Sequence, residues 1–214
     1  MRTSIRLLLA CIALVFAASA QAGVIADFTG GIPASPSGDT VGGWEFEVSS
    51  AVSLSGLGFW DEGADGLVSR HSVGLFDANG TPLATVVVSS ASTAVASTSI
   101  DGQWLFESIT PIILQPGIYV LAATFLDQDA DAARIVTPAD ITTIAEITVT
   151  RALQETNTSS LTLPTQDFGP GAIFGANAIL TAVVPEPNTL APALLGIAGV
   201  VGLIARRRMA VNRV

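Results

Sequence analysis

Between residues 23 and 184, apolar side chains recur at every second position, and no window repeats at three and four as a helix would. Trp44, Phe46 and Val48 share one face of a predicted strand, with Glu45 and Glu47 on the other. Val52 and Leu54 lead past Gly56 and Gly58 to Leu57 and Phe59. The run Val73-Gly74-Leu75-Phe76 stops at Asp77-Ala78-Asn79-Gly80, and Asn-Gly accepts the positive φ of a tight hairpin turn, so residues 83–88 become its partner strand. Trp104-Leu105-Phe106 and Ile112-Ile113-Leu114 follow as separate strands, the second ending at a Pro116-Gly117 turn. Residues 118–125 carry the densest run of β-favouring side chains, and 141–150 and 172–183 complete the set. Stretches 89–99, rich in Ser, Ala and Thr, and 156–170, polar throughout, read as connections. The pattern predicts an all-β domain, an antiparallel sandwich or jelly roll of about 8–10 short strands.

Both ends break this pattern. Arg2 and Arg6 precede an apolar stretch over 7–17, and Ala20-Gln21-Ala22 places small residues at both specificity positions of a signal peptidase site. Residues 1–22 therefore read as a signal helix removed after Ala22. Leu8-Leu9-Ala10-Cys11 suggests a lipoprotein site instead, but too few apolar residues separate Arg6 from Cys11 to make its hydrophobic segment. Cys11 is the chain's single cysteine, so the exported domain, residues 23–183, holds no disulfide. At the other end, the 16 residues 190–205 are almost unbroken apolar and run into Arg206-Arg207-Arg208. That is short of the ~20 residues a membrane-spanning helix needs, and Thr189 with snorkelling arginines makes up part of the gap. The arginines stay cytoplasmic, which places the upstream chain outside the membrane.

Charge narrows the partners. Residues 23–184 contain three arginines (Arg70, Arg134 and Arg151), no lysine and 17 acids, a net of −14 masked in the whole-chain value of −9 by arginines at the two ends. Nucleic-acid binding releases counterions through basic side chains, and a domain this acidic is excluded from it. The same field attracts divalent cations.

Ahead of the C-terminal apolar run stands Pro185-Glu186-Pro187. That motif, a short apolar helix and a closing arginine cluster, in this order over 184–208, resemble the PEP-CTERM sorting signal of Gram-negative bacteria. The resemblance implies recognition by an exosortase, a membrane cysteine protease, and cleavage near the motif. It also implies anchoring in the inner membrane before processing, then release to the cell surface or the extracellular polymeric matrix of a biofilm. The prolines hold the site extended and outside the helix, where a protease reaches the backbone. Pro192 interrupts the apolar run early, and six residues follow the arginines. The succession Leu-Gly-Phe-Trp, His-Ser-Val-Gly-Leu-Phe-Asp, Asn-Gly and Gly-Ile-Tyr-Val within 43–127 is similar to small β-sandwich modules of unknown function in exported bacterial proteins. It implies a fold and no chemistry.

Candidate chemistry is sparse. His71 is the chain's single histidine, stands before an apolar strand and lacks a Gly-x-Ser-x-Gly partner, so it reads as structural. One histidine with no mature cysteine cannot furnish a zinc site. Asp127, Asp129 and Asp131 open like a calcium loop, but Ala132 and Pro138 occupy the positions of the EF-hand glycine and bidentate glutamate. The loop containing Asp61 and Asp65 is a second calcium candidate, and for both loops the ordinary solvated turn stands as the other reading. Trp44 and Trp104 keep phase with Phe46 and Phe106 and point inward. Trp60 breaks phase with Phe59 and is the better candidate for exposure and for stacking on a sugar ring, with plain core packing standing as the other reading. Asn157-Thr158-Ser159 fits a glycosylation sequon that carries little meaning in a bacterium. Two function classes follow. One is an exported non-catalytic surface or matrix protein, with exopolysaccharide or calcium as its ligand. The other is a matrix-associated carbohydrate hydrolase, which would need two facing carboxylates ~5–9 Å apart.

Overall fold

The computed structural model describes residues 23–36, 38–97, 101–127 and 130–181. The signal segment with Ala20 and Ala22, the Pro185-Glu186-Pro187 motif, the 190–205 run, Arg206, Arg207, Arg208 and Asp129 lie outside the described residues. Within them, regular structure is all β apart from one 3₁₀ turn at Pro138–Asp140, and no helix is long and apolar enough to cross a membrane.

Two sheets make a sandwich-like arrangement. Their backbone is one long antiparallel ribbon, folded over in the middle. In the six-stranded sheet β3 (Thr40–Val48) pairs with β9 (Gly117–Phe125), from Thr40 opposite Phe125 to Val48 opposite Gly117. In the four-stranded sheet β4 (Val52–Glu62) pairs with β8 (Gly102–Leu114), from Val52 opposite Leu114 to Glu62 opposite Gly102. The two halves meet at 49–51 and 115–116, so Pro116-Gly117 turns the chain from one sheet into the other rather than closing a hairpin within a sheet. Pro111, which cannot donate to a ladder, sits inside β8 where the register against β4 slips between Leu54 and Gly56.

Other strands extend each half. Flanking β3 and β9 are β12 (Ile147–Thr156) with β13 (Gln166–Gly169) on one side, and the hairpin β5 (His71–Asp77) and β6 (Pro82–Val88) on the other. The 77–80 turn closes that hairpin as expected, with Asp77 accepting from the Asn79 and Thr81 N–H groups. Flanking β4 and β8 are β15 (Ala176–Leu180) and β7 (Thr93–Ala96). Smaller sheets pair β1 (Ala26–Phe28) with β11 (Ile141–Thr143), and β10 (Ala133–Val136) with β2 (Ile32–Ala34) and β14 (Ala172–Phe174).

Among the described residues there are fifteen strands, more than the expected count, for three reasons. Three- and four-residue strands such as β1, β2 and β10 are too short to show alternation. The run 141–150 is broken by a turn at 144–146 and 172–183 by Gly175, whereas 104–106 and 112–114 join into β8. The two expected connections also contain strands, β7 and β13. The second is an anchored cover, since its Leu161 and Leu163 pack on Val41, Phe76, Val120, Ala122 and Leu153 on the outer face of the larger sheet.

The core between the sheets is aromatic. Phe28 of β1 stacks on Phe174 at 4.9 Å and meets Trp60 and Trp104 edge-on at 4.8 and 5.8 Å. Trp44 joins through Phe174, and its indole N–H donates to the Ala176 carbonyl at 2.8 Å, a hydrogen bond from one sheet to the other. Gly102 lies against the Trp60 ring with φ at +152°, and an added Cβ would come within 2.2 Å of that ring. Gly102→Ala is expected to lower stability by about 2–3 kcal/mol through overpacking and backbone strain, read as an earlier midpoint in urea unfolding.

Candidate functional site

Trp60 is fully buried, so it packs in the core and is not the exposed aromatic candidate for sugar stacking. Residues 56–61 of β4 are all buried, so both faces of the strand are covered and an out-of-phase aromatic has no exposed side to take. Phe59 stacks on His71 at 3.7 Å and packs on Phe125, while Trp60 turns to Phe28 and Trp104. The Trp60 indole N–H donates to Glu62 at 2.7 Å. Glu62 in turn pairs with Arg134, whose guanidinium also donates to the carbonyls of Gly30 and Gly31. The Arg134 hydrogen bond holds the Glu62 carboxyl below the ordinary glutamate range, against the opposing effect of its burial. On the other sheet, Arg151 of β12 stands directly opposite Glu45 of β3 and grips it with two nitrogens, lowering Glu45 in the same way.

The acids singled out as calcium ligands divide by position. Asp61 is buried and accepts from the Gly66 N–H and from Gln103, closing the 62–66 turn from inside. Asp131 is also buried, and accepts from the N–H groups of Val68 and Ser69 at 3.0 and 2.8 Å and faces His71 Nε2 at 3.1 Å. The opposite ring nitrogen of His71 lies 2.8 Å from the Thr124 carbonyl, which can only accept, so Nδ1 donates there. Asp131 and His71 thus tie the 63–70 loop to the end of β9. Asp65 and Asp127 are exposed, and the Asp127 N–H donates to Asp39. Among the described residues, no three His, Cys, Asp or Glu side chains gather as a metal site requires. The role of Asp61 leaves a signal in sequence, an acid followed within a few residues by glycine, but an acidic ligand loop leaves the same one, and the role of Asp131 leaves no local signal.

The concave site is elsewhere. A cleft of about 270 Å³ opens beside the start of β3, with Gly42, Phe125, Ile135 and Ile173 as its apolar wall. Asp39, Thr40, Gln154 and Asn157 supply its polar wall. Asn157 holds φ at +60°, a left-handed conformation that asparagine tolerates, and its amide is exposed at the rim. These groups can donate and accept hydrogen bonds around a neutral hydroxylated ligand, and among the described residues no cation lines the cleft. Nothing in the sequence marked it, because its walls come from residues more than a hundred positions apart. No protein-family model matches the chain, and comparison with curated proteins and with solved structures yields no match.

Replacing Asp131 with Ala strips the acceptor from two partly buried backbone N–H groups and from the buried His71, and is expected to cost about 2–3 kcal/mol. The loss should be the same in calcium and in chelator by thermal unfolding; a loss that appears only in calcium would make Asp131 a ligand instead. Glu62 has a folded pKa below its unfolded value, so the stability it contributes is full above the unfolded glutamate pKa and is lost as pH falls through the folded one. Glu62→Gln should therefore flatten the decline in stability on acidification, measured as urea midpoints across that range.

Proposed function

We propose that this is an exported, non-catalytic protein of the cell surface or extracellular matrix of a Gram-negative bacterium. On this reading its signal segment delivers it across the inner membrane, its PEP-CTERM tail holds it there, and an exosortase releases it. The observation that carries the reading is the tail itself. Pro185-Glu186-Pro187, the apolar 190–205 run and Arg206-Arg207-Arg208 stand in the order and spacing that such sorting needs. The β-sandwich is then the delivered cargo. Its buried acids and tryptophans are occupied in holding turns and the core, which supports a structural role over a catalytic one. Exopolysaccharide is the partner that suits it, since the domain repels anions and the Asp39, Gln154 and Asn157 cleft offers groups for neutral sugars. Calcium enters this reading through the exposed acids Asp65 and Asp127 and through Asp129, which lies outside the described residues.

The intact mass of the protein recovered from the medium and from the membranes of its host tests the proposal. The expected released species begins at Gly23 and ends near Pro187. A full-length tail found in membranes with no released form would overturn the sorting step.

A further inference from the structure

The geometry points to a second copy of this chain as the partner of β6, joined edge to edge so that the six-stranded sheet continues from one molecule into the next. Sheet edges carry unpaired N–H and C=O groups, and proteins guard them with charge, proline, short length or cover. The other edges of the two main sheets are guarded in this way. β13 has four residues and carries Asp167, which is paired with Arg151. β15 is covered by the chain start, where Val24 bridges Ile179. β7 has four residues. β6 has seven, and its guard is Pro82, at the first position alone.

On the side of β6 away from β5, no strand among the described residues pairs with it. The space there is open, a groove of about 390 Å³ between β6 and the Ser108–Ile112 portion of β8. Charge selects the occupant. The domain as a whole is strongly acidic and repels its own kind, yet the twenty residues 81–100 contain no charged side chain. Two copies can therefore approach along this strip without opposing like charges.

The strand is also complementary to itself. Its inward residues Ala84, Val86 and Val88 belong to or pack on the core, and its outward residues are Leu83, Thr85 and Val87, with Leu83 and Val87 38% and 53% exposed. Antiparallel pairing about a two-fold axis through Thr85 sets Leu83 opposite Val87 of the second copy, and Ala84 opposite Val86. Thr85 then faces Thr85. In-facing residues meet in-facing ones and out-facing meet out-facing, as a continued sheet demands. Pro82 falls at the end of the new ladder, where its missing N–H costs little.

The test uses the full chain in detergent with Cys11→Ser as background, so that no native thiol competes. Opposed residues in such a pair have Cα atoms about 4.5–5.5 Å apart, within the roughly 4.4–6.8 Å a disulfide spans. Thr85→Cys is expected to crosslink to a dimer on mild oxidation, while Val68→Cys, at an exposed loop position, does not. Thr85→Lys places two cations face to face at the axis. It is expected to abolish the dimer in sedimentation velocity with an unchanged β-sheet circular dichroism spectrum. A monomeric parent chain, equal crosslinking at the two cysteine positions, or a dimer that survives Thr85→Lys would each overturn the proposal. The last two outcomes would assign any association to the apolar ends of the chain. None of these readings depends on whether the tail is cut in the host.

Discussion

The packing of Phe28 between two tryptophans and a phenylalanine is the contact on which the rest of the sandwich depends. β1 and its partner β11 form a sheet of two short strands, too small to be stable alone. Phe28 fixes β1 to Trp60 and Trp104, which face each other across β4 and β8, and to Phe174, which carries Trp44 of the other sheet. Asp27, next in the chain, accepts from the Phe28 N–H, Ser97 and the Trp104 indole, so the polar edges of this cluster are closed where its apolar faces are. Fully burying one such aromatic contributes about 1.5–3 kcal/mol. A domain without disulfides gains much of its cohesion from having five of them in mutual contact.

The folded ribbon accounts for the rest of the architecture. Because β3–β4 and β8–β9 cross from sheet to sheet side by side, the strands added to either half extend outward from one shared frame. The two arginines whose partners are known span neighbouring strands, or a strand and a loop, on that frame: Arg151 ties β12 to β3 and β13, and Arg134 ties β10 to the end of β4 and to the 30–31 turn. Those cations are held in internal pairs, so the acidic balance of the domain is left to its surface. β6 escapes that balance. It belongs to a hairpin added at the margin of the ribbon, in a stretch where the sequence is uncharged.

Much of the fold was legible in the sequence because alternation is a direct consequence of burial on one face. Trp44, Phe46 and Val48 are buried and Glu47 is exposed, as their phase requires, and Asn79-Gly80 closes the β5–β6 hairpin. Legibility failed where the physical premise failed. Around Phe59 and Trp60 both faces of β4 are covered, so phase no longer distinguishes inside from outside. At 156–165 two leucines among polar residues suffice to bind a connection to the outer face of a sheet, and two residues make no periodic pattern. The joining of 104–106 to 112–114 across Pro111 was hidden because a proline at a register slip looks, in sequence, like a proline that ends a strand.

The candidate site was less legible than the fold, and the acids show why. A carboxylate offers the same lone pairs to a calcium ion and to a row of backbone N–H groups, so Asp61 and Asp131 fit either reading while only their number and spacing are known. What separates the two is convergence. A cation draws several carboxylates to one point, whereas a turn needs one carboxylate aimed at its own amides. Asp131 sits on the chain some sixty residues from Val68 and Ser69, the groups it satisfies, and that distance carries no local pattern. The 63–70 loop therefore takes its shape from an acid whose purpose is set by the fold. The cleft beside β3 arises in the same way, because residues 39, 125, 154 and 173 become neighbours only when the ribbon has folded and β12 and β14 have closed over it.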